Sequence, residues 1–515
     1  MEKAAKGTGV LAIQSGVNAL LGTFLFMYMA RVLTKMEMGV YGAIILILTV
    51  AGILGRLGLN TAASRFIPHF YGNKSPETAG VVAKNILYLS IVSASILSGV
   101  FFALSPILSR YVLQGYQHTY LFQVTSFALF FTILGLVFSA FIQGLQMFKY
   151  LAFIQLLAQI SKVTISITFL TLKFSVEALL YGIIAFNIVL IALALKPTIM
   201  LIKQGNNRSH QPIKPILSFG LPMVGYELVS YLYNSADQYI VLSLIGIETL
   251  GTYTVAITAA SLTLITIGIP LSTTLTPKLS EVYGNSDVSG VVNAIKPASR
   301  YISLFFIPAT LGLAILSPLA IQILASQKYI EAWPPVTIMC LGIATYGFST
   351  IINSALIAIG KTDKVMRITL IASAAGLALT AGLTEPFGIL GAASAKAIMY
   401  GFLFILSVYV GSKVIPISLD SRAILGSLAS STVMAVITYI IAFYTGFRLI
   451  LLPFYITIGL LTYGLTLSAM RILTLKDIQF LSQTMPGGKY IYTKLCQIMN
   501  NTSILSKIIH KIFNL

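Results

Sequence analysis

Long apolar stretches separated by short polar breaks recur fourteen times along the chain, at about residues 8–30, 40–60, 86–108, 119–141, 150–172, 175–196, 216–236, 250–275, 299–323, 334–358, 366–385, 388–409, 422–444 and 447–470. A helix needs roughly 20 mostly apolar residues to cross the hydrocarbon core of a bilayer, and each stretch meets that length. The pattern predicts an all-α polytopic membrane protein with fourteen transmembrane helices. The connections are short, the longest being about 61–85, 197–215 and 276–298, which leaves no room for an extramembrane domain.

The pattern also repeats. At a shift of 212 residues, Gly39 and Tyr41 meet Gly251 and Tyr253, and Tyr71-Gly72-Asn73 meets Tyr283-Gly284-Asn285. At a shift of 215, Ser139, Ala140, Ile142 and Lys149 meet Ser354, Ala355, Ile357 and Lys364. Matches at nearly one offset, in corresponding positions between helices, indicate a duplication. Each copy holds six spans, so both enter the membrane in one orientation, as parallel repeats do in transporters. The expected divisions are residues 1–215 and 216–415 for two six-helix lobes, 416–470 for an added hairpin, and 471–515 for a tail. In the tail, Ile491, Leu495, Ile498, Leu505, Ile508, Ile509 and Ile512 recur at helical spacing with Lys494, Lys507 and Lys511 on other faces. That is the pattern of a basic amphipathic helix lying on a membrane surface.

Composition agrees with the pattern, at 57% hydrophobic and 9% charged residues. A net charge of +19 raises the question of nucleic acid, and the positions of the charges answer it. With the N-terminus placed in the cytoplasm, the outer side receives only Arg31, Lys35, Arg110, Lys173, Lys328 and Arg448. Nearly all other Lys and Arg fall inside, the bias that orients membrane proteins. The excess is therefore a topology signal and an attraction to anionic lipid heads, not a nucleic-acid surface. Both termini are expected in the cytoplasm and the protein in the cell membrane. The first span exceeds the apolar core of a signal peptide and lacks a small-residue cleavage site, so it reads as an uncleaved helix. Trp333 sits where an interfacial anchor belongs.

Catalytic chemistry is not legible. His69, His118, His210 and His510 are far apart, and Cys340 and Cys496 are isolated, so neither a zinc site nor a disulfide framework is expected. Gly360-Lys361-Thr362 imitates the end of a phosphate-binding loop, yet the required earlier glycine is Ala355. The expectation is no enzyme, no metal and no cofactor. What remains is charge inside the membrane, where each ionised group costs about 2.5–3.5 kcal/mol on insertion scales. Lys162 lies near the centre of span 5, Lys396 within span 12, Glu227 near the middle of span 7 and Asp237 near its outer end. Arg56 occupies the inner half of span 2, and Arg31 closes span 1 on the outside. The bland alternatives are that Arg31 and Asp237 reach the interface and that Lys162 and Glu227 pair with each other. A cavity with more cations than anions suits an anionic substrate head, which Arg binds through a bidentate fork and Lys as a point charge. Pro222, Pro270 and Pro308 inside spans, and Gly52, Gly55 and Gly58 in the second, are candidate breaks.

Three segments carry a family resemblance. "ARVLTKMEMGVYG" (30–42) resembles the first-loop signature of polysaccharide-export flippases. "SADQYIVLSLIGIETLGTYTVA" (235–256) is similar to its counterpart in the second half, and "IGKTDK" (359–364) to the turn after the tenth helix. The chain is identified as a member of the lipid-linked oligosaccharide (Wzx-type) branch of the multidrug/oligosaccharidyl-lipid/polysaccharide exporter superfamily. The resemblance implies two lobes that alternate between inward and outward openings. It implies transfer of a polyprenyl- or dolichyl-diphosphate-linked oligosaccharide from the cytoplasmic to the outer leaflet. It matches Arg56 to arginines of helix 2 and gives helices 13 and 14 a groove for the lipid tail.

On this reading Arg56, Lys162 and Lys396 offer positive charge to the diphosphate, with Arg31 at the outer exit. Glu227 and Asp237 are candidates for binding a coupling proton or sodium ion. The expected partners are the lipid-linked oligosaccharide and membrane lipids, and the expected state is a monomer. Two alternatives stand beside it: a cation-coupled drug or metabolite antiporter of the same superfamily, and a membrane-embedded glycan polymerase or glycosyltransferase.

Overall fold

The structure, a computed structural model, describes residues 2–72, 75–113, 119–205, 213–264 and 269–472. Sixteen α-helices occur among the described residues. The first eight are α1 (Glu2–Val32), α2 (Lys35–Arg56), α3 (Leu59–Gly72), α4 (Pro76–Ala103), α5 (Ser105–Val112), α6 (Thr119–Gly144), α7 (Phe148–Thr171) and α8 (Val176–Lys203). The rest are α9 (Ile213–Leu244), α10 (Ile247–Thr263), α11 (Ile269–Ile315), α12 (Ser317–Ala325), α13 (Trp333–Ala358), α14 (Thr362–Ser412), α15 (Ser421–Thr445) and α16 (Leu452–Ala469). Among the described residues, ten helical segments are long and apolar enough to cross a membrane by length and composition. The amphipathic tail helix and Cys496 lie outside the described residues.

Local chemistry sets the breaks. Thr34 and Glu37 form a reciprocal capping box at the start of α2, which satisfies backbone N–H groups that no earlier turn can reach. The helix runs through Gly52 and Gly55 and ends at Leu57 and Gly58, both with positive φ (50° and 69°). The expected inner connection after it folds as α3. The expected connection 276–298 is likewise helical, inside α11, even though it contains Pro277, Gly284, Gly290 and Pro297, and Pro270 also lies in α11. Expected spans 11 and 12 are two helices within α14 that meet at a kink at Gly388 (φ 60°, ψ −141°).

The duplication reappears in the helix boundaries. Val32 and Leu244 end α1 and α9, Lys35 and Ile247 begin α2 and α10, and Ser105 and Ser317 begin α5 and α12, each pair 212 residues apart. Later boundaries, Gly144 against Ala358 and Phe148 against Thr362, are 214 apart, one fewer than the residue matches in that region.

By internal contacts the chain forms two compact units. The first comprises Met1–Ala259, Ile321–Pro335 and Ser373–Ala395, and the second Ala260–Ala320, Val336–Ala372 and Lys396–Leu515. In the first unit, Leu59, Ala63 and Ile67 of α3 pack against Val82 and Ile86 of α4 and Val137 and Phe141 of α6. Ile142, Ile154 and Leu190 join α6, α7 and α8.

Two glycines let α2 and α10 meet backbone to backbone. A Cβ added at Gly39 would lie 1.8 Å from Ile247 O, and one at Gly251 would lie 2.1 Å from Lys35 O. Gly39 and Gly251 are repeat equivalents, as are Lys35 and Ile247, so the contact is reciprocal, as in an isologous interface.

In the second unit, α15 and α16 are fastened to α11 by polar groups. Arg300 pairs with Asp420 at 3.1 Å and donates to Ile472 O. Ser427 donates to Ser303 O at 2.5 Å, and Tyr463 donates to Leu304 O at 2.8 Å.

Because the α2–α10 approach leaves no space for a side chain, Gly39→Val is expected to destabilise the protein by at least about 1–3 kcal/mol, the usual cost of overpacking. Gly225→Ala, at a position with nothing within 4 Å, is expected to be neutral. Thermal melting of the purified variants in detergent checks the contrast, and equal melting temperatures for both variants would contradict it.

Candidate functional site

Helix α2 is flanked by α9 and α10 on one side and by α4 and α6 on the other. Tyr231 and Tyr239 of α9 both donate to Leu46 O, at 3.3 and 2.8 Å. Gly58 meets Gly220 so closely that a Cβ at Gly58 would lie 2.1 Å from Gly220 O. Opposite, Gly55 abuts Leu97 of α4 and Ile133 of α6. The remaining two faces of α2 differ in chemistry.

One face is hydrocarbon. Ile47, Val50, Ala51 and Leu54 recur at helical spacing and, with Leu232 and Ala236 of α9 among others, line a cavity of about 410 Å³. Tyr239 also lines it, but its hydroxyl is engaged at Leu46 O, so the ring is what it adds.

The other face carries charge. Arg56, roughly half a turn around the helix from Leu54, pairs with Glu227 at 3.1 Å and donates through Nε to Gly52 O at 3.0 Å. The side chains are 14% and 24% exposed, so the pair is sheltered yet reachable. Along the same face of α9, Ser230 and Asn234 follow Glu227 at i+3 and i+7, half-buried and exposed respectively. Thr49 of α2 lies within hydrogen-bonding reach of the Tyr231 hydroxyl. Although α9 has 32 residues, it is not among the ten apolar segments.

The structure therefore brings Arg56 and Glu227 together, and Glu227 does not pair with Lys162. Lys162 sits half-buried on α7 and, among the described residues, has no hydrogen-bond or ion-pair partner. Asp237 is 5% exposed and accepts a 2.8 Å hydrogen bond from the Tyr253 hydroxyl. Lys396 is buried on α14 in the second unit.

Arg31 belongs to a different group. Its guanidinium donates to Ile323 O at 3.1 Å, while Lys328 donates to the carbonyls of Arg31 and Leu33. Lys35 pairs with Glu331 at 2.9 Å, and Tyr329 donates to Thr34 O at 3.2 Å. Glu37 accepts from Ser175 of the α7–α8 turn at 2.5 Å. Sequence reasoning singled out Arg31 in this group and missed the contacts of Lys328, Glu331 and Ser175, which carry no local signal.

Comparison with known proteins places this geometry. A family model described as "Polysaccharide biosynthesis protein" matches residues 28–334. An uncharacterized membrane protein of Methanocaldococcus jannaschii is 21% identical over 439 residues, covering 80% of this chain and 85% of its own. Among solved structures, the lipid II flippase MurJ in an inward-closed conformation aligns with a TM-score of 0.72 and 19% identity, over 89% of this chain and 97% of its own. An inward-facing multidrug resistance MATE family transporter of the MOP superfamily aligns at 0.64 and 16%, over 79% and 97%. The chain shares their fold.

Removing one partner of the Arg56–Glu227 pair leaves a poorly hydrated charge behind. Arg56→Ala and Glu227→Ala are each expected to cost about 1–3 kcal/mol, below the loss for a fully buried pair because both groups retain some exposure. The double variant should lose less than the sum. Melting temperatures of the four proteins test this; additive losses would contradict it.

Proposed function

The chain belongs to the polysaccharide biosynthesis protein family, which its match over residues 28–334 establishes, and on that premise we propose that it is a lipid-linked oligosaccharide flippase. In this reading fourteen helices form two six-helix lobes and a C-terminal hairpin in the cell membrane, with both termini cytoplasmic. A monomer carries a polyprenyl- or dolichyl-diphosphate-linked oligosaccharide from the cytoplasmic to the outer leaflet by alternating access. No bond in the substrate is made or broken.

The observation that carries the reading is the sheltered Arg56–Glu227 pair on the polar face of α2. A carboxylate already neutralises Arg56, so an incoming anion must bind the guanidinium better than Glu227 does. A diphosphate has more than one negative charge and several oxygens for a bidentate fork. Its arrival frees Glu227, which a proton or sodium ion can then neutralise, linking substrate and coupling ion at one point. Lys162 and Lys396 add positive charge for the diphosphate, Arg31 meets it at the outer exit, and Asp237 is the second coupling candidate. Polar groups of the glycan keep water or protein partners throughout, avoiding a desolvation cost of several kcal/mol each, while the prenyl chain remains in apolar surroundings. A cation antiporter wants an acid ready to receive its cargo. Here Glu227 is held by Arg56 and Asp237 by Tyr253, which favours the flippase.

In a strain deleted for the gene, lipid-linked oligosaccharide is expected to accumulate on the cytoplasmic side. Wild type should restore its sidedness, and Arg56→Ala combined with Lys162→Ala should not. Rescue by the double variant would remove these residues from the site, and unchanged sidedness on deletion, with no redundant flippase present, would overturn the flippase itself.

A further inference from the structure

Helix α1 ends at Val32 and α12 at Ala325, and the last carbonyls of a helix have no later turn to pair with. The two ends supply donors to each other. Arg31 of α1 donates to Ile323 O of α12 at 3.1 Å. Lys328, just past α12, donates to Arg31 O at 3.1 Å and to Leu33 O. The buried Tyr329 donates to Thr34 O at 3.2 Å. A cation at a helix C-terminus is also favoured by the dipole. Lys35 and Glu331 complete the set at 2.9 Å, but Glu331 is 69% exposed, so water screens that pair and its share is small. The grip comes from Lys328 and Tyr329 on backbone carbonyls.

The gripping segment is short and tethered at both ends. Gln327–Ala332 is a single 3₁₀ turn. It lies in the stretch Ile321–Pro335, which packs as part of the first unit, whereas the rest of α12 and α13 on either side belongs to the second. Any movement of the second unit against the first therefore pulls on the turn from both sides. Its entry residue, Ser326, has φ 75° and ψ 170°, a combination essentially confined to glycine that other residues keep only where their surroundings enforce it. The fold does not demand the device twice. At the 212-residue offset Lys328, Tyr329 and Glu331 correspond to Tyr116, Gln117 and Thr119, so the first copy lacks both the amine and the acid.

We propose that the turn Gln327–Ala332 is a latch. Engaged, it restrains the second unit through its hold on the α1–α2 turn; it lets go each time the protein opens toward the side that the flippase reading makes the outer one. The proposal rests on that reading and adds to it the element that controls the opening. Hydrogen bonds to carbonyls suit a contact that must break and re-form, because the freed donors and acceptors are taken up by water at little net cost.

Two measurements on the full-length protein test it, both in a Cys340→Ala, Cys496→Ala background. In the first, spin labels at Val32→Cys and Gln327→Cys, both exposed positions, report the distance across the latch in nanodiscs by pulsed electron paramagnetic resonance. One short distance is expected to dominate. Lys328→Ala with Tyr329→Phe should raise the population of longer distances about tenfold, through loss of the hydrogen bonds to the α1–α2 turn, and Lys35→Ala should change it little. A distribution that the Lys328/Tyr329 variant leaves unchanged would overturn the latch.

In the second, a reducible bis-thiosulfonate linker joins Lys35→Cys to Glu331→Cys. It should stop transfer of a fluorescent polyprenyl-diphosphate oligosaccharide between liposome leaflets, and reduction should restore the transfer; either single cysteine variant should be indifferent to the reagent. Transfer by the cross-linked protein at its uncross-linked rate would overturn the latch and leave the flippase standing. A wild type that transfers no lipid, while the Lys328/Tyr329 variant still shifts the distances, would overturn the flippase and leave the latch.

Discussion

Two helices can meet backbone to backbone only where neither brings a side chain to the contact. In this protein that constraint falls on Gly39 and Gly251, which occupy the same place in the two copies of a duplicated segment. Each lies against the carbonyl at the start of the other's helix, Ile247 O for Gly39 and Lys35 O for Gly251. The contact fixes one end of α2 against α10. At the other end, Gly58 and Gly220 fix it against α9. With both ends held, α2 becomes a dividing wall, hydrocarbon on one face and the Arg56–Glu227 pair on the other. Sidedness of this kind is what an amphipathic cargo requires.

The scaffold is doubled, but the chemistry is not. By the 212-residue offset, Arg56 corresponds to Gly268, Glu227 to Ser15, Asp237 to Leu25 and Lys35 to Ile247; by the 214-residue offset of the later helices, Lys162 corresponds to Gly376. Every intramembrane charge in this set has an uncharged counterpart. Packing demands are shared by both copies and keep the paired glycines and tyrosines. A charge inside a membrane is costly wherever it stands, and for Arg56, Glu227 and Asp237, though not for Lys162, a partner offsets it. Glu227 offsets Arg56, and the Tyr253 hydroxyl meets Asp237.

The helical architecture was legible because its determinants are local. Apolar length marks the segments, whereas the capping box at Thr34 and Glu37 and the left-handed pair Leu57–Gly58, which bound α2 at Lys35–Arg56 instead of the expected 40–60, emerged only from the structure. The repeat showed in Gly-x-Tyr, whose glycines proved to be the close contact. Less legible was what followed the second and eighth spans, because amphipathic helices such as α3 and the first part of α11 resemble polar loops when judged by hydropathy alone. Individual charges could be picked out as expensive, but their partners could not. Glu227 and Arg56 are far apart in sequence, and nothing local distinguishes Arg56 from Lys162 as the partner. The cluster of Arg31, Lys35, Lys328 and Glu331 was illegible for the same reason.

The account is tested most directly by reconstituting the purified protein into liposomes with a fluorescent polyprenyl-diphosphate oligosaccharide and measuring the fraction of the lipid that a membrane-impermeant quencher can reach over time. Transfer between leaflets by the wild type, lost with Arg56→Ala in protein that still melts as a folded species, is the predicted result. Transfer no faster than in protein-free liposomes, with an organic cation moved instead, would contradict it.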